Sequence, residues 1–107
     1  KKISQYKYQI EADEASFTSE LNQKSLEIRK AIDNLDFFRK EILRKKENIA
    51  LTRGNYETAF ALFQSGRILP SDLSEADLSY KKAKVDYLNT VYNYLNALLE
   101  LKKIRES

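Results

Sequence analysis

The sequence predicts an all-α fold, a long antiparallel two-helix coiled-coil hairpin. Two observations carry that expectation: apolar residues recur at seven-residue steps along both halves of the chain, and breaking residues gather in one short segment. A third supports it. The 107 residues include two glycines and one proline, so the chain has few means of making tight turns and must use few, long elements.

The first arm is expected to be helical over about residues 1–65. Leu21, Ile28, Leu35, Ile42, Ile49, Tyr56 and Phe63 fall at strict seven-residue steps, the spacing of a supercoiled seam and not of a strand. Gly54 interrupts this arm at a cost of about 1 kcal/mol relative to alanine. It marks a kink, a close helix approach, or simply a tolerated glycine. The segment Gly66-Arg67-Ile68-Leu69-Pro70-Ser71 is then the expected tip, residues 66–71. Gly66 suits the left-handed position after a helix, Pro70 stops the first helix, and Ser71 or Asp72 is placed to cap the second. With Asp72 as cap, Glu75 three residues on completes a capping box.

The second arm is expected over about residues 72–107, so that the whole chain, 1–107, is a single hairpin. Leu73, Tyr80, Tyr87, Tyr94 and Leu101 form one seven-residue series, and Ala76, Ala83, Thr90, Ala97 and Ile104 form another three residues later. Bulky and small side chains therefore run side by side, as close knobs-into-holes packing requires. Folding at the tip sets Phe63 against Leu73, Tyr56 against Tyr80, Ile49 against Tyr87, Ile42 against Tyr94 and Leu35 against Leu101. The arms are unequal. At 1.5 Å per residue they reach roughly 90 Å and roughly 54 Å, which leaves about the first 28 residues without a partner.

A two-helix seam needs only one apolar stripe on each helix. The second arm carries two. Leu78, Val85, Tyr92 and Leu99 form a further seven-residue series about 150° around from Leu73, broadened by Leu88, Val91, Leu95 and Leu98. Such a helix belongs in a sheet-like or barrel-like array, with further copies packed laterally through Leu78, Val85, Tyr92 and Leu99.

The inventory also excludes functions. Without cysteine, histidine, methionine or tryptophan, the usual zinc, iron and copper ligands and the histidine-based nucleophile systems are missing. No enzyme, cofactor or metal site is expected. The carboxylates Asp33, Asp36 and Glu41 fan out over different helix faces, and Glu11, Asp13 and Glu14 read as a solvated face without calcium-loop spacing. The net charge of +3 raises nucleic acid as a partner, but the basic residues are dispersed, and Arg44-Lys45-Lys46 is followed at once by Glu47. The longest apolar run, 59–63, is five residues, far below the roughly 20 of a membrane-spanning helix. Lys1-Lys2-Ile3-Ser4 lacks the pattern of a signal peptide, and the chain reads as a processed or excised piece.

The stretch from Leu62 to Leu73, followed by Ala76, Ala83-Lys84 and Tyr92-Asn93-Tyr94-Leu95 through to Leu101, resembles the second periplasmic hairpin of the TolC family of outer-membrane efflux channels. The shared features are an aromatic residue three before a glycine (Phe63 and Gly66), the Asp72-Leu73 pair where the family has Asp-x-Leu, and the alanines and Tyr-Asn-Tyr-Leu. About 45 residues are covered. The resemblance implies a homotrimeric conduit in the periplasm, its helical barrel continuing an outer-membrane β-barrel absent from this chain. It further implies docking of a periplasmic adaptor in a tripartite pump through a tip made of Gly66, Arg67, Ile68, Leu69 and Asp72. Family members that close the tip by polar bonds use a tyrosine three before the glycine and an arginine two after it. Here Phe63 lacks the hydroxyl and Ile68 stands at the arginine's place, with Arg67 one residue earlier, so the resemblance speaks for docking more than for gate bonding.

Two other readings share the periodicity. One is the hairpin of the periplasmic membrane-fusion adaptor itself, and the other is a structural coiled-coil scaffold module. The Tyr-Asn-Tyr ending and the second stripe favour the channel.

Overall fold

A computed structural model describes residues 2–106 and contains two helices, α1 (Lys2–Gln64) and α2 (Pro70–Glu106). They pack against one another along the length of α2 in a rod 96 Å long and 17 by 15 Å across. The fold is an all-α hairpin. Its 63-residue first helix spans about 95 Å at 1.5 Å per residue, and its 37-residue second helix about 56 Å. Lys1 and Ser107, included in the expected helix limits, lie outside the described residues.

The boundaries at the tip differ from the sequence expectation, and hydrogen bonds supply the reason. α1 ends at Gln64 because Gly66, at φ +72°, turns the chain into the left-handed region. The Gly66 N–H then donates to the Phe63 carbonyl at 3.0 Å, and the Arg67 N–H donates to the Leu62 carbonyl at 2.9 Å. That pair of bonds is a Schellman motif, which satisfies carbonyls that the end of the helix would otherwise leave bare. α2 begins at Pro70 and not at residue 72. Proline at the first helical position has no N–H to waste, and its fixed φ is already helical.

Neither Ser71 nor Asp72 is therefore the N-cap; Leu69 is. The Asp72 N–H and the Leu73 N–H donate to the Leu69 carbonyl at 3.0 and 3.3 Å, while the Asp72 carboxylate reaches back to accept the Leu69 N–H at 3.0 Å. Asp72 thus performs the return half of a capping box from the third helical position, where its charge also suits the positive end of the helix. Ile68 and Leu73, both half-buried, occupy the two positions of a hydrophobic staple. Pro70, Asp72 and the Ile68/Leu73 pair thus start α2 together.

Along the seam the expected rows are the covered ones. Ile28, Leu35, Ile42, Ile49 and Tyr56 are half-buried on α1, as are Leu73, Tyr80, Tyr87, Tyr94 and Leu101 on α2. The Tyr56 and Tyr80 rings stack with centroids 6.2 Å apart and planes inclined by 27°, which places the two helices in the expected register near the tip. Phe63, at the end of its row, is more exposed.

The small-residue row of α2 lies deepest. Ala83 is 2% exposed and Thr90 is also buried. Thr90 satisfies its hydroxyl by donating to the Asp86 carbonyl at 2.9 Å within its own helix, so no polar hydrogen is stranded.

α1 contributes a second row that its residue types conceal: Lys24, Ala31, Phe38, Lys45, Thr52 and Ala59 are buried or half-buried at seven-residue steps. Ile3, Ile10 and Phe17 extend the same row beyond the end of α2, and every residue from 3 to 23 is exposed there. The overhang is therefore real but slightly shorter than 28 residues. Leu21, the first member of the expected seam, belongs to it and is uncovered.

Gly54 neither breaks α1 nor admits a close neighbour: a Cβ built there meets nothing within 4 Å. Of the three readings of this residue, the tolerated glycine is the one the geometry supports. The two glycines should respond oppositely to alanine. In urea unfolding followed by circular dichroism, Gly54→Ala should raise stability by about 1 kcal/mol, from helix propensity. Gly66→Ala should lower it by about 1 kcal/mol, because a Cβ is disfavoured at positive φ.

Candidate functional site

Two surfaces stand out, the tip and the uncovered face of α2. At the tip, Gly66, Arg67 and Leu69 are exposed, so the end of the rod presents one cation beside one apolar side chain. Ile68, the other apolar residue of the expected docking tip, is less open. It is half-buried, consistent with its position in the staple. Asp72 is exposed, but its carboxylate is engaged by the Leu69 N–H, so its first duty is to its own helix. Arg67 forms no ion pair among those the structure shows, which leaves its guanidinium available.

Behind the tip an aromatic group joins the arms. Phe60 lies 6.3 Å from Tyr56 in ring centroids, Tyr56 stacks on Tyr80, and the Lys84 ammonium sits 3.9 Å above the Tyr80 ring. A stacked aromatic pair and a cation over a ring each contribute about 1 kcal/mol. The group braces the helices near the turn. Asp77 pairs with Lys81 at 2.8 Å, and that hydrogen bond raises the lysine's pKa.

The lateral face is the larger of the two. Leu78, Val85, Tyr92 and Leu99 are between 54% and 68% exposed, and Leu88 and Leu95 beside them are equally open. None is covered by α1, because this row lies across the helix from the Tyr80 and Ala83 rows that form the seam. Six large apolar side chains thus line one face of one helix, far more than the scattered exposure of an ordinary surface. Leu98 and Val91 lie closer to the seam and are more covered.

The acidic residues offer less. Asp33 and Asp36 share a groove with Ile32, Leu35, Arg39 and Tyr94, while Glu41 pairs separately with Arg44 at 3.0 Å. Asp36 accepts from Arg39 at 2.9 Å and lies 3.1 Å from the Lys40 ammonium. The Lys40 bond, and then the Arg39 bond, hold its carboxyl below the ordinary aspartate value. An acid kept ionised by two cations is poorly suited to give up a proton near neutral pH. All the ion pairs shown join residues three or four apart on one helix, so they support local helix more than the union of the arms. Among the described residues no three carboxylates converge as metal ligands would, and no helix is long and apolar enough to cross a membrane.

No family model, curated protein or solved structure matches this chain. The hairpin geometry and these two surfaces are therefore what a functional reading must use.

Two measurements check the local chemistry. Replacing Asp72 by alanine should lower stability by about 1 kcal/mol, as loss of a capping carboxylate does, and unfolding curves of the two proteins should differ by that amount. Asp36 should titrate below 3.8 when its carboxyl carbon is followed by NMR. Because its folded value is depressed, its contribution is fully present above the unfolded value and is lost as pH falls through the folded one.

Proposed function

We propose that this hairpin is a wall segment of a TolC-like outer-membrane efflux or secretion conduit, lying in the periplasm and docking a periplasmic adaptor through its tip. The uncovered row Leu78, Val85, Tyr92 and Leu99 carries the reading. A helix that hides one apolar row in its own hairpin and shows another on its far side suits a closed array, in which each hairpin packs against the next. A homotrimer of the parent protein would supply those neighbours.

The sequence likeness from Leu62 to Leu101 supports the same reading, and so does a tip that exposes Arg67 and Leu69 on a rod stiffened by the Schellman turn and the Asp72 cap. End-on helical contact uses such a pairing of one charge with a small apolar surface. The adaptor-hairpin and scaffold readings leave the second row of α2 without a purpose.

Photocrosslinking from position 67 in the intact parent protein, in its own cell, tests the proposal directly. An adduct with a periplasmic adaptor is the expected result, and Arg67→Glu should reduce adaptor capture several-fold without altering helicity. Adducts with a cytosolic partner, or only with a second copy of the chain, would overturn the docking role.

A further inference from the structure

Residues 3–23 of α1 run past the end of α2 and are exposed throughout. Helices in proteins are stabilised chiefly by packing an amphipathic face, and this stretch packs none within the hairpin. It nevertheless continues the seam. Ile3, Ile10 and Phe17 prolong the Ala31 row and are 83%, 57% and 62% exposed, while Lys7, Glu14 and Leu21 prolong the Ile28 row. We propose that this overhang is a docking surface for the overhang of a second copy of the chain, laid antiparallel about a twofold axis at Ile10.

The distribution of charge selects that occupant. The first ten residues of the sequence carry three lysines and no acid, and the next ten carry Glu11, Asp13, Glu14 and Glu20 and no base. Two such helices laid parallel set like charge against like, whereas laid antiparallel they set base against acid twice. Neither Lys7 nor Glu14 belongs to an ion pair among those the structure shows, so both are available to a partner.

The register follows from the same residues. With Ile10 against its own copy, the rows that form the seam meet again in five layers: Ile3 with Phe17, Lys7 with Glu14, Ile10 with Ile10, and then the first two in reverse order. A shift by one heptad spoils this in either direction. One way it sets Glu14 against Glu14, and the other way Lys7 against Lys7. The charged layers thus fix orientation and register, and the apolar layers supply the attraction. Glu11 meets its like across the axis, but at the solvated edge, where screening keeps the repulsion small.

The inference rests on the overhang alone. Because a twofold axis points the two tips in opposite directions, it concerns association of this chain by itself and not the side-by-side packing of the proposed wall, and either can fail without the other.

Sedimentation equilibrium of the 107-residue chain over a range of concentrations tests it. A monomer–dimer equilibrium is expected, with amide exchange over residues 3–17 slowing as dimer forms. Phe17→Glu should abolish the dimer, whereas Val85→Glu, on the exposed face of α2, should leave it intact. Lys7→Glu, which sets acid against acid, should weaken association by about tenfold or more, and adding Glu14→Lys should restore it. With no native cysteine to compete, Ile10→Cys should oxidise to a covalent dimer across the axis, and Ser4→Cys should not. A chain that stays monomeric up to about 1 mM would overturn the proposal. So would a dimer that survives Phe17→Glu, one that is lost in Val85→Glu, or one that the double charge exchange does not restore.

Discussion

The close approach of α1 and α2 along the small-residue row of α2 is the constraint on which the rest of this molecule depends. Ala83 and Thr90 are buried although they are among the smallest side chains of the seam, and the tyrosines beside them are only half covered. A thin rod has no interior in the sense of a globular domain, and among the described residues no large side chain is fully buried. Stability must come from many partial contacts repeated every seven residues. The alanines bring the backbones near enough for Tyr80, Tyr87 and Tyr94 to cover the flanks.

That packing determines what is left over. Once the Tyr80 and Ala83 rows face inward, the geometry of a helix carries the Leu78, Val85, Tyr92 and Leu99 row to the opposite side, where no residue of this hairpin can reach it. The seam and the free lateral face are thus two consequences of one rotation of α2. The Tyr56–Tyr80 stack holds that rotation near the turn, and the short tip prevents the helices from sliding far along one another. In the proposed conduit the same rotation would aim each hairpin's apolar face at its neighbour, while the tip, fixed by Gly66 and Asp72, would hold Arg67 and Leu69 at the end of the rod.

Much of the fold was legible in the residues. The rows on α2 alternate bulky and small so regularly that their burial could be read in advance, and the register followed from matching them to α1 about the single breaking segment. The tip was expected at 66–71 and lies between Gln64 and Pro70, and the capping roles within it differ from those expected. Asp72 reads as an N-cap by residue type, yet it acts from the third helical position because Pro70 is able to start the helix earlier. The second row of α1 was hidden for a different reason. Lys24, Lys45 and Thr52 lack an apolar signature, and only their partial burial in the folded hairpin reveals the row. Ile68, expected as part of the docking tip, is half-buried because it also sits in the staple with Leu73.

By itself, then, the sequence determined that this is a helical hairpin, where it turns, which rows meet, and that α2 carries more apolar surface than one seam consumes. Those properties are local or periodic, and helix geometry translates them directly into position. The tertiary structure alone decided that Leu69 caps α2 while Asp72 answers it, and that Gly54 has no neighbour. The first depends on the ångström-scale path of the backbone through the turn and the second on where α2 lies, and spacing along the chain contains neither distance.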